Sequence, residues 1–354
     1  MSSLAAQPQS NLGIHGVNLA GWLVLESWVT PDLFSGTGAL DEAGLLRSLG
    51  LNRYQRLVDE HRKNFITKQD FDRIAARGLD AIRLPVPWFA FENLGPAPGA
   101  FLSCENQLEL AFEWAEQNEL KLLLDLVDVP FASSSETEGR LDITKSRFRS
   151  SLLDVLAELA KRFGHRDGLL GIQVLDSPRA QSRLGLAKSD SVPLHFLRNF
   201  YRDAYERIRA HAGQNCVVVL SDAGRAGAWR RFMAQKNYVN VWLDCHLYRY
   251  ADVSASADAQ DLRKLVAKSA HILKKAQASG LPVVVGEWSA ALPAPQPHMT
   301  PEGRVALERV YSSAQMRAYE GAAAWFFQTW KTSQLMSGWD ARVALSTFEK
   351  EMLD

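Results

Sequence analysis

Eight short apolar runs alternate with stretches whose apolar residues recur at helical spacing, and few folds accept that pattern. The runs cover 14–19, 79–86, 122–127, 169–175, 216–220, 238–246, 283–288 and 321–330 and read as buried strands. Between them Leu108, Ala111, Phe112 and Ala115 share one helical face, as do Leu152, Leu156, Leu159 and Phe163, and Phe196, Phe200, Ala204 and Ile208. Gly164 and Gly213 stop the second and third of these faces, and further helices are expected over 261–277 and 301–319. Thr67 followed by Asp70 marks another helix start, with Phe71, Ile74 and Ala75 on the buried side. Residues 35–64 are mixed and charged and read as loop and short helix. The alternation predicts an α/β fold, a single (β/α)8 TIM barrel spanning 1–354, with 1–12 as a flexible tail.

With 40 basic and 40 acidic residues and no Lys/Arg cluster interleaved with aromatics, nucleic acid is not an expected partner. No stretch approaches the roughly 18 apolar residues of a spanning helix, so no membrane segment is expected. The first ten residues lack the basic start and apolar run of a secretory signal. Cys104, Cys216 and Cys245 are far apart and lack metal-ligand spacing, which predicts free core thiols and no metal site. Both features point to a reducing compartment and a cytoplasmic protein. Ten Trp and sixteen Phe supply a large core and flat faces on which sugars stack. The sequence carries no signal for an oligomeric state.

In a parallel barrel the residues at the carboxyl ends of the strands face the chemistry. Glu287 stands there in Val283-Val284-Val285-Gly286-Glu287-Trp288, with an indole beside it. Asn18 and Glu26 follow the first run, Arg83 lies on the second, Asp128 follows the third, and Asp176 and Ser177 follow the fourth. His246 and Tyr248 end the sixth run, and Trp330 ends the eighth. Singly, each has a bland explanation: a strand-end ion pair for Glu287 and Arg83, a satisfied core histidine, a core tryptophan. Together on one rim they suit a neutral polyhydroxylated ligand, with Arg83 and Tyr248 keeping Glu287 ionised as a nucleophile.

Five motifs in order resemble glycoside hydrolase family 5, in particular its exo-β-1,3-glucanase branch. They are Gly16-Val17-Asn18-Leu19-Ala20-Gly21-Trp22-Leu23-Val24-Leu25-Glu26, Ile82-Arg83-Leu84-Pro85, Leu243-Asp244-Cys245-His246-Leu247-Tyr248, Val285-Gly286-Glu287-Trp288-Ser289-Ala290 and Trp330-Lys331-Thr332. The resemblance implies that Glu287 is the nucleophile, that Arg83 lies beneath it, and that His246 and Tyr248 orient the reacting carboxylates. Glu26 then contacts a sugar hydroxyl and Trp330 is the platform under the first sugar, and the strand-end reading itself adds Asn18, Asp128 and Trp288 to the substrate-binding rim. It further implies retention through a glycosyl-enzyme ester on β-glucan or a β-linked oligosaccharide, with no metal or organic cofactor.

Two departures from that pattern matter. Where the family has Asn-Glu-Pro after the fourth strand, this chain has Asp176-Ser177-Pro178, so the expected acid/base carboxyl is Ser177. Where the family has Asp-Leu-His-Gly, this chain has Asp125-Leu126-Val127-Asp128. A serine hydroxyl is too weak an acid to protonate a glycosidic oxygen. Three outcomes are open: rescue by Asp176, Asp128, Glu136 or Glu138; weak hydrolysis or transglycosylation on activated donors; or a non-catalytic carbohydrate-binding pseudoenzyme.

Overall fold

The computed structural model describes residues 13–345 apart from 96, 98, 128–142, 182–190, 253–258 and 293–298. The tail 1–12 and the acids Asp128, Glu136 and Glu138 lie outside the described residues. Eight parallel strands close a barrel in chain order. They are β1 (Ile14–Asn18), β2 (Ala81–Pro87), β3 (Lys121–Val127), β4 (Leu169–Gln173), β5 (Val217–Ser221), β6 (Val241–His246), β7 (Val283–Trp288) and β8 (Ala324–Phe327), with β8 pairing back to β1. The helices Lys68–Ala76, Glu105–Gln117, Ser146–Phe163, Leu194–Arg209, Ala259–Gln277 and Pro301–Tyr319 connect successive strands. Between β5 and β6 the connection is a short 3₁₀ turn, Ala226–Trp229. The (β/α)8 barrel expected from the alternation is therefore the architecture found.

Residues 35–64 are more ordered than their composition suggests, forming helices Glu42–Leu49 and Leu51–Asn64. Charged side chains serve the interior here, which hides the amphipathic pattern. Arg62 is 1% exposed and donates to the carbonyls of Leu23, Leu102 and Ser103. Gly50, at φ +71°, makes the turn between the two helices.

Strand β2 carries two prolines, Pro85 and Pro87, without being broken. Trp88 N–H points to Val127 O on β3, so by strand alternation positions 85 and 87 would point theirs toward β1. Pairing with β1 ends at Asn18 opposite Arg83, where Leu19 N–H takes the Arg83 carbonyl. The prolines thus lack only donors that have no ladder partner.

Every second residue of a strand faces the barrel interior. The lower interior layer is apolar, with Ala81, Leu123, Val217, Val219, Val284, Ala324 and Phe326 in one buried cluster. Closer to the carboxyl ends it turns polar: Asn18, Arg83, Asp125, Gln173 and Asp244 are each 0% exposed. A β-bulge in β7 then sets the site. His246 pairs with Glu287, whereas Cys245 pairs with Val285, so Gly286 is the extra residue. The bulge turns Glu287 to the interior face that strict alternation would have given to its neighbours. Gly286 loses its ladder position but not its hydrogen bonds: its N–H donates to Asp244 Oδ1 at 2.7 Å, and its carbonyl accepts from Asn18 Nδ2 at 3.0 Å. A Cβ at 286 would overlap the Asp244 carboxylate, so glycine is required.

Among the described residues no helix is long and apolar enough to cross a membrane. Cys104, Cys216 and Cys245 are buried and free.

Candidate active site

Arg83 is the hub of the rim. Its Nη1 donates to Glu287 Oε1 at 2.7 Å and to Asn18 Oδ1 at 2.9 Å, and its Nη2 donates to Asp176 Oδ1 at 2.8 Å. Gln173 fixes the remaining edge, accepting from Arg83 Nε at 3.3 Å and donating to Asp244 Oδ2 at 2.8 Å. Asp125 Oδ2 lies 3.0 Å from Arg83 Nη2 in ionic contact, although neither oxygen of that carboxyl has hydrogen-bond geometry. Burial alone would lower the pKa of Arg83, but this ring of carboxylates raises it well above its ordinary value.

The other oxygen of Glu287 is held just as firmly. Tyr248 OH donates to Oε2 at 2.8 Å, and His246 Nδ1 stands 3.1 Å from the same atom. His246 Nε2 is 2.9 Å from Asp244 Oδ2, so both ring nitrogens face carboxylates and both must donate. Burial disfavours that imidazolium, yet Glu287 and Asp244 outweigh burial and raise the His246 pKa well above its usual value. Burial would push Glu287 up, but the His246 and Arg83 charges together hold it down to about 2. Asp125, fully buried, goes the other way and is raised well above the carboxylate range despite Arg83.

Removing the guanidinium would leave these acids buried with one cation among them. For Arg83→Met the expected loss is about 3–5 kcal/mol of unfolding free energy, read from the urea midpoint. A loss below about 1 kcal/mol would show that Arg83 is not the hub.

The rim opens into a cleft of about 800 Å³ lined by Ser177, Asp222, His246, Tyr248 and Glu287 among others. Glu26 accepts from Trp28 Nε1 at 2.8 Å and from Gly21 N–H at 3.2 Å. Burial, reinforced by the charge of Glu287, pushes Glu26 up to about 7. Asp176, His246 and Glu287 each offer an atom within 4.8 Å of the others, a spacing a metal could use. Arg83 and the imidazolium already supply positive charge at that point.

Three expected substrate contacts are corrected. Trp330 is 1% exposed and faces the outer helix layer, where its Nε1 donates to Asp70 Oδ1 at 2.9 Å. Trp330 N–H bonds the Asn18 carbonyl, which docks the segment after β8 onto β1 and turns the indole away from the cleft. Trp288 is 0% exposed and packs edge-on against Tyr319, Trp325 and Phe327, because the bulge that brings Glu287 inward sends its neighbour outward. Asn18 is fully buried and spends its amide on Arg83 and Gly286, so it positions the site.

The aromatic surface near Glu287 comes instead from Tyr248 together with three residues the sequence did not single out, Trp339, Trp28 and Tyr250. Tyr248 packs on Trp339 at 5.7 Å between ring centres, and Trp339 meets Trp28 at 5.1 Å and Tyr250 at 5.9 Å. Trp28 and Tyr250 are 36% and 43% exposed. Asp125, Gln173 and Asp244 also went unassigned, although a polar residue interrupting an apolar run, as in Leu122-Leu123-Leu124-Asp125, is a visible signal. Asp222 was missed because the end of the fifth run was not read as part of the rim.

The chain is a TIM barrel that gathers an Arg-braced carboxylate, a His and a Tyr at the carboxyl ends of its strands, the face where this fold carries its sites. The profile of Cellulase (glycosyl hydrolase family 5) matches residues 52–320, and the chain belongs to that family. The probable glucan 1,3-beta-glucosidase A of Aspergillus fumigatus is 28% identical, over 94% of this chain and 86% of its own. The glucan 1,3-beta-glucosidase of Schwanniomyces occidentalis is 27% identical, over 93% and 85%. The rutinosidase from Aspergillus niger shares the fold at 18% identity, with a TM-score of 0.72 over 93% of this chain and 92% of its own.

Proposed function

We propose that this chain is a retaining, β-glucan- or β-glucoside-directed protein in which Glu287 is the nucleophile and position 177 no longer supplies the proton. One observation carries the reading: the Glu287 carboxylate is braced by Arg83 on one oxygen and by Tyr248 and His246 on the other, at the wall of an open cleft. Such bracing keeps a carboxylate ionised and aimed, as attack on an anomeric carbon requires. The family and its glucan 1,3-beta-glucosidase relatives supply the substrate class. The aromatic wall of Tyr248, Trp339 and Trp28 offers ring faces to a pyranose.

Ser177 follows β4 and donates its Oγ–H to Asp176 Oδ2 at 3.1 Å. A hydroxyl there does not protonate a departing alkoxide, so cleavage of unactivated glucan needs a proton from another group, whereas donors with good leaving groups do not.

The test is covalent trapping. A 2-deoxy-2-fluoro-β-glucoside with a dinitrophenyl leaving group should add one fluoroglucosyl unit to the peptide containing Glu287, detected by mass spectrometry. No label, together with calorimetric binding of a β-1,3-linked oligosaccharide, would replace this reading with that of a non-catalytic glycan binder.

A further inference from the structure

We infer that Asp222 is the general acid and base of this site, doing from the end of β5 what a carboxyl at position 177 would otherwise do. The inference rests on Glu287 being the nucleophile. Asp222 directly follows β5, which neighbours β4 in the barrel. The loops after the two strands are tied together, with Ala180 N–H donating to the Ala223 carbonyl at 3.1 Å and Arg225 Nη1 to the Gln181 carbonyl at 2.6 Å. Asp222 therefore lines the same cleft as Ser177 and Glu287. It sits on one side of β6 and Glu287 on the other, with His246 between them.

The residue is held as a presented group is held. Its N–H bonds the Asp244 carbonyl at 2.8 Å, and its own carbonyl accepts from Trp229 Nε1 at 2.7 Å. Oδ1 accepts from Gly224 N–H at 2.8 Å. Oδ2 has no hydrogen-bond partner among the described residues, although the side chain is only 7% exposed and faces the cleft. The turn that presents it contains Ala223 at φ +53°, a left-handed conformation that disfavours a non-glycine residue.

The other carboxyls of the rim are committed elsewhere. Asp176 gives Oδ1 to Arg83 and Oδ2 to Ser177. Asp125 and Asp244 are 0% exposed, and both oxygens of Glu26 accept hydrogen bonds. The charged groups that act on Asp222 are Asp244 and His246 on β6, while Glu287, Arg179, Arg225, Arg249 and Lys275 line the same cleft. Burial, helped by Asp244 and opposed by Gly224 and His246, raises its pKa to about 6, which suits a group that gives and takes a proton near neutrality.

In the first step Glu287 attacks the anomeric carbon, the bond to the leaving oxygen breaks, and the Asp222 proton passes to that oxygen, which departs as an alcohol. In the second the Asp222 carboxylate takes a proton from water, whose oxygen attacks the anomeric carbon and releases Glu287. Asp222 is then protonated again.

The experiment uses Asp222→Ala and Asp222→Asn in the full chain, with thermal melts to establish folding. On an unactivated β-glucan oligosaccharide kcat/KM is expected to fall about 10²–10³-fold, and on a dinitrophenyl glucoside less than about 10-fold. Azide should restore turnover of the dinitrophenyl glucoside by Asp222→Ala and yield β-glucosyl azide, which loss of a merely structural residue would not. The basic limb of the wild-type pH profile should vanish in Asp222→Asn. Equal losses on both substrates without glucosyl azide, unchanged hydrolysis, or a wild-type protein that cleaves no unactivated oligosaccharide would each overturn the assignment. Fluoroglucoside labelling separates the two claims. Label on Glu287 with any of those results removes Asp222 alone, and no label in either protein removes the nucleophile beneath it.

Discussion

Glu287→Gln is expected to lower turnover of an activated glucoside by about 10⁴-fold or more and to abolish fluoroglucoside labelling. The amide keeps the size and most of the hydrogen bonds, so the protein should stay folded while losing the atom that bonds the anomeric carbon. Stability should respond to pH in a way that reports the same group. The folded-state pKa of Glu287 lies at about 2, below the unfolded value of 4.5. Its ionised form is therefore favoured by folding. That contribution is fully present above pH 4.5 and is lost as pH falls toward 2. Glu287→Gln lacks it, so its stability should change less over that interval than the wild type's, as measured by urea unfolding at several pH values. Residual turnover within about 10-fold of wild type would remove Glu287 as nucleophile.

Ser177→Glu is the second large effect, and it is a gain. Position 177 follows β4 and lines the cleft with Glu287, so a carboxyl there enters the space from which a leaving oxygen would be protonated. General acid help is worth about 10²–10⁴-fold. The full factor should appear on unactivated β-glucan in the Asp222→Ala background, where no other proton source serves the reaction. A smaller gain is expected in the wild-type background. Activated aryl glucosides should change little in either, because their leaving groups need no proton. The signature is a rise in kcat/KM that grows with the pKa of the leaving group. A uniform rise across leaving groups, or none on glucan, would mean that the cleft around 177 no longer admits a glycosidic oxygen.

Much of the site was legible because barrel strands expose their ends. Asp176, Ser177, His246, Tyr248 and Glu287 stand at or just beyond strand ends in the sequence, Arg83 lies within its strand, and the closed barrel brings them to one rim. The aromatic residues were harder. Trp330 and Trp28 are both tryptophans near strand ends, yet one is 1% exposed against Asp70 and the other 36% exposed beside Glu26. Nothing in their neighbours' identity distinguishes them, because the difference lies in how the segment after β8 docks on β1.

The order of apolar runs and helical faces by itself determined the barrel, since burying a short apolar strand between amphipathic helices eight times over leaves one closed parallel arrangement. It also placed Glu287 at the rim, because strand ends are where a parallel barrel meets its ligand. What only the tertiary structure decided was direction. The extra residue at Gly286 rotates Glu287 into the cleft and Trp288 out of it, and the left-handed turn at Ala223 leaves one oxygen of Asp222 open. Both depend on contacts from distant strands: the Asp244 carboxylate with the Asn18 amide at the bulge, and the Asp244 carbonyl with the Trp229 indole at the turn. Side-chain direction at such points is set by partners that a linear pattern does not bring together.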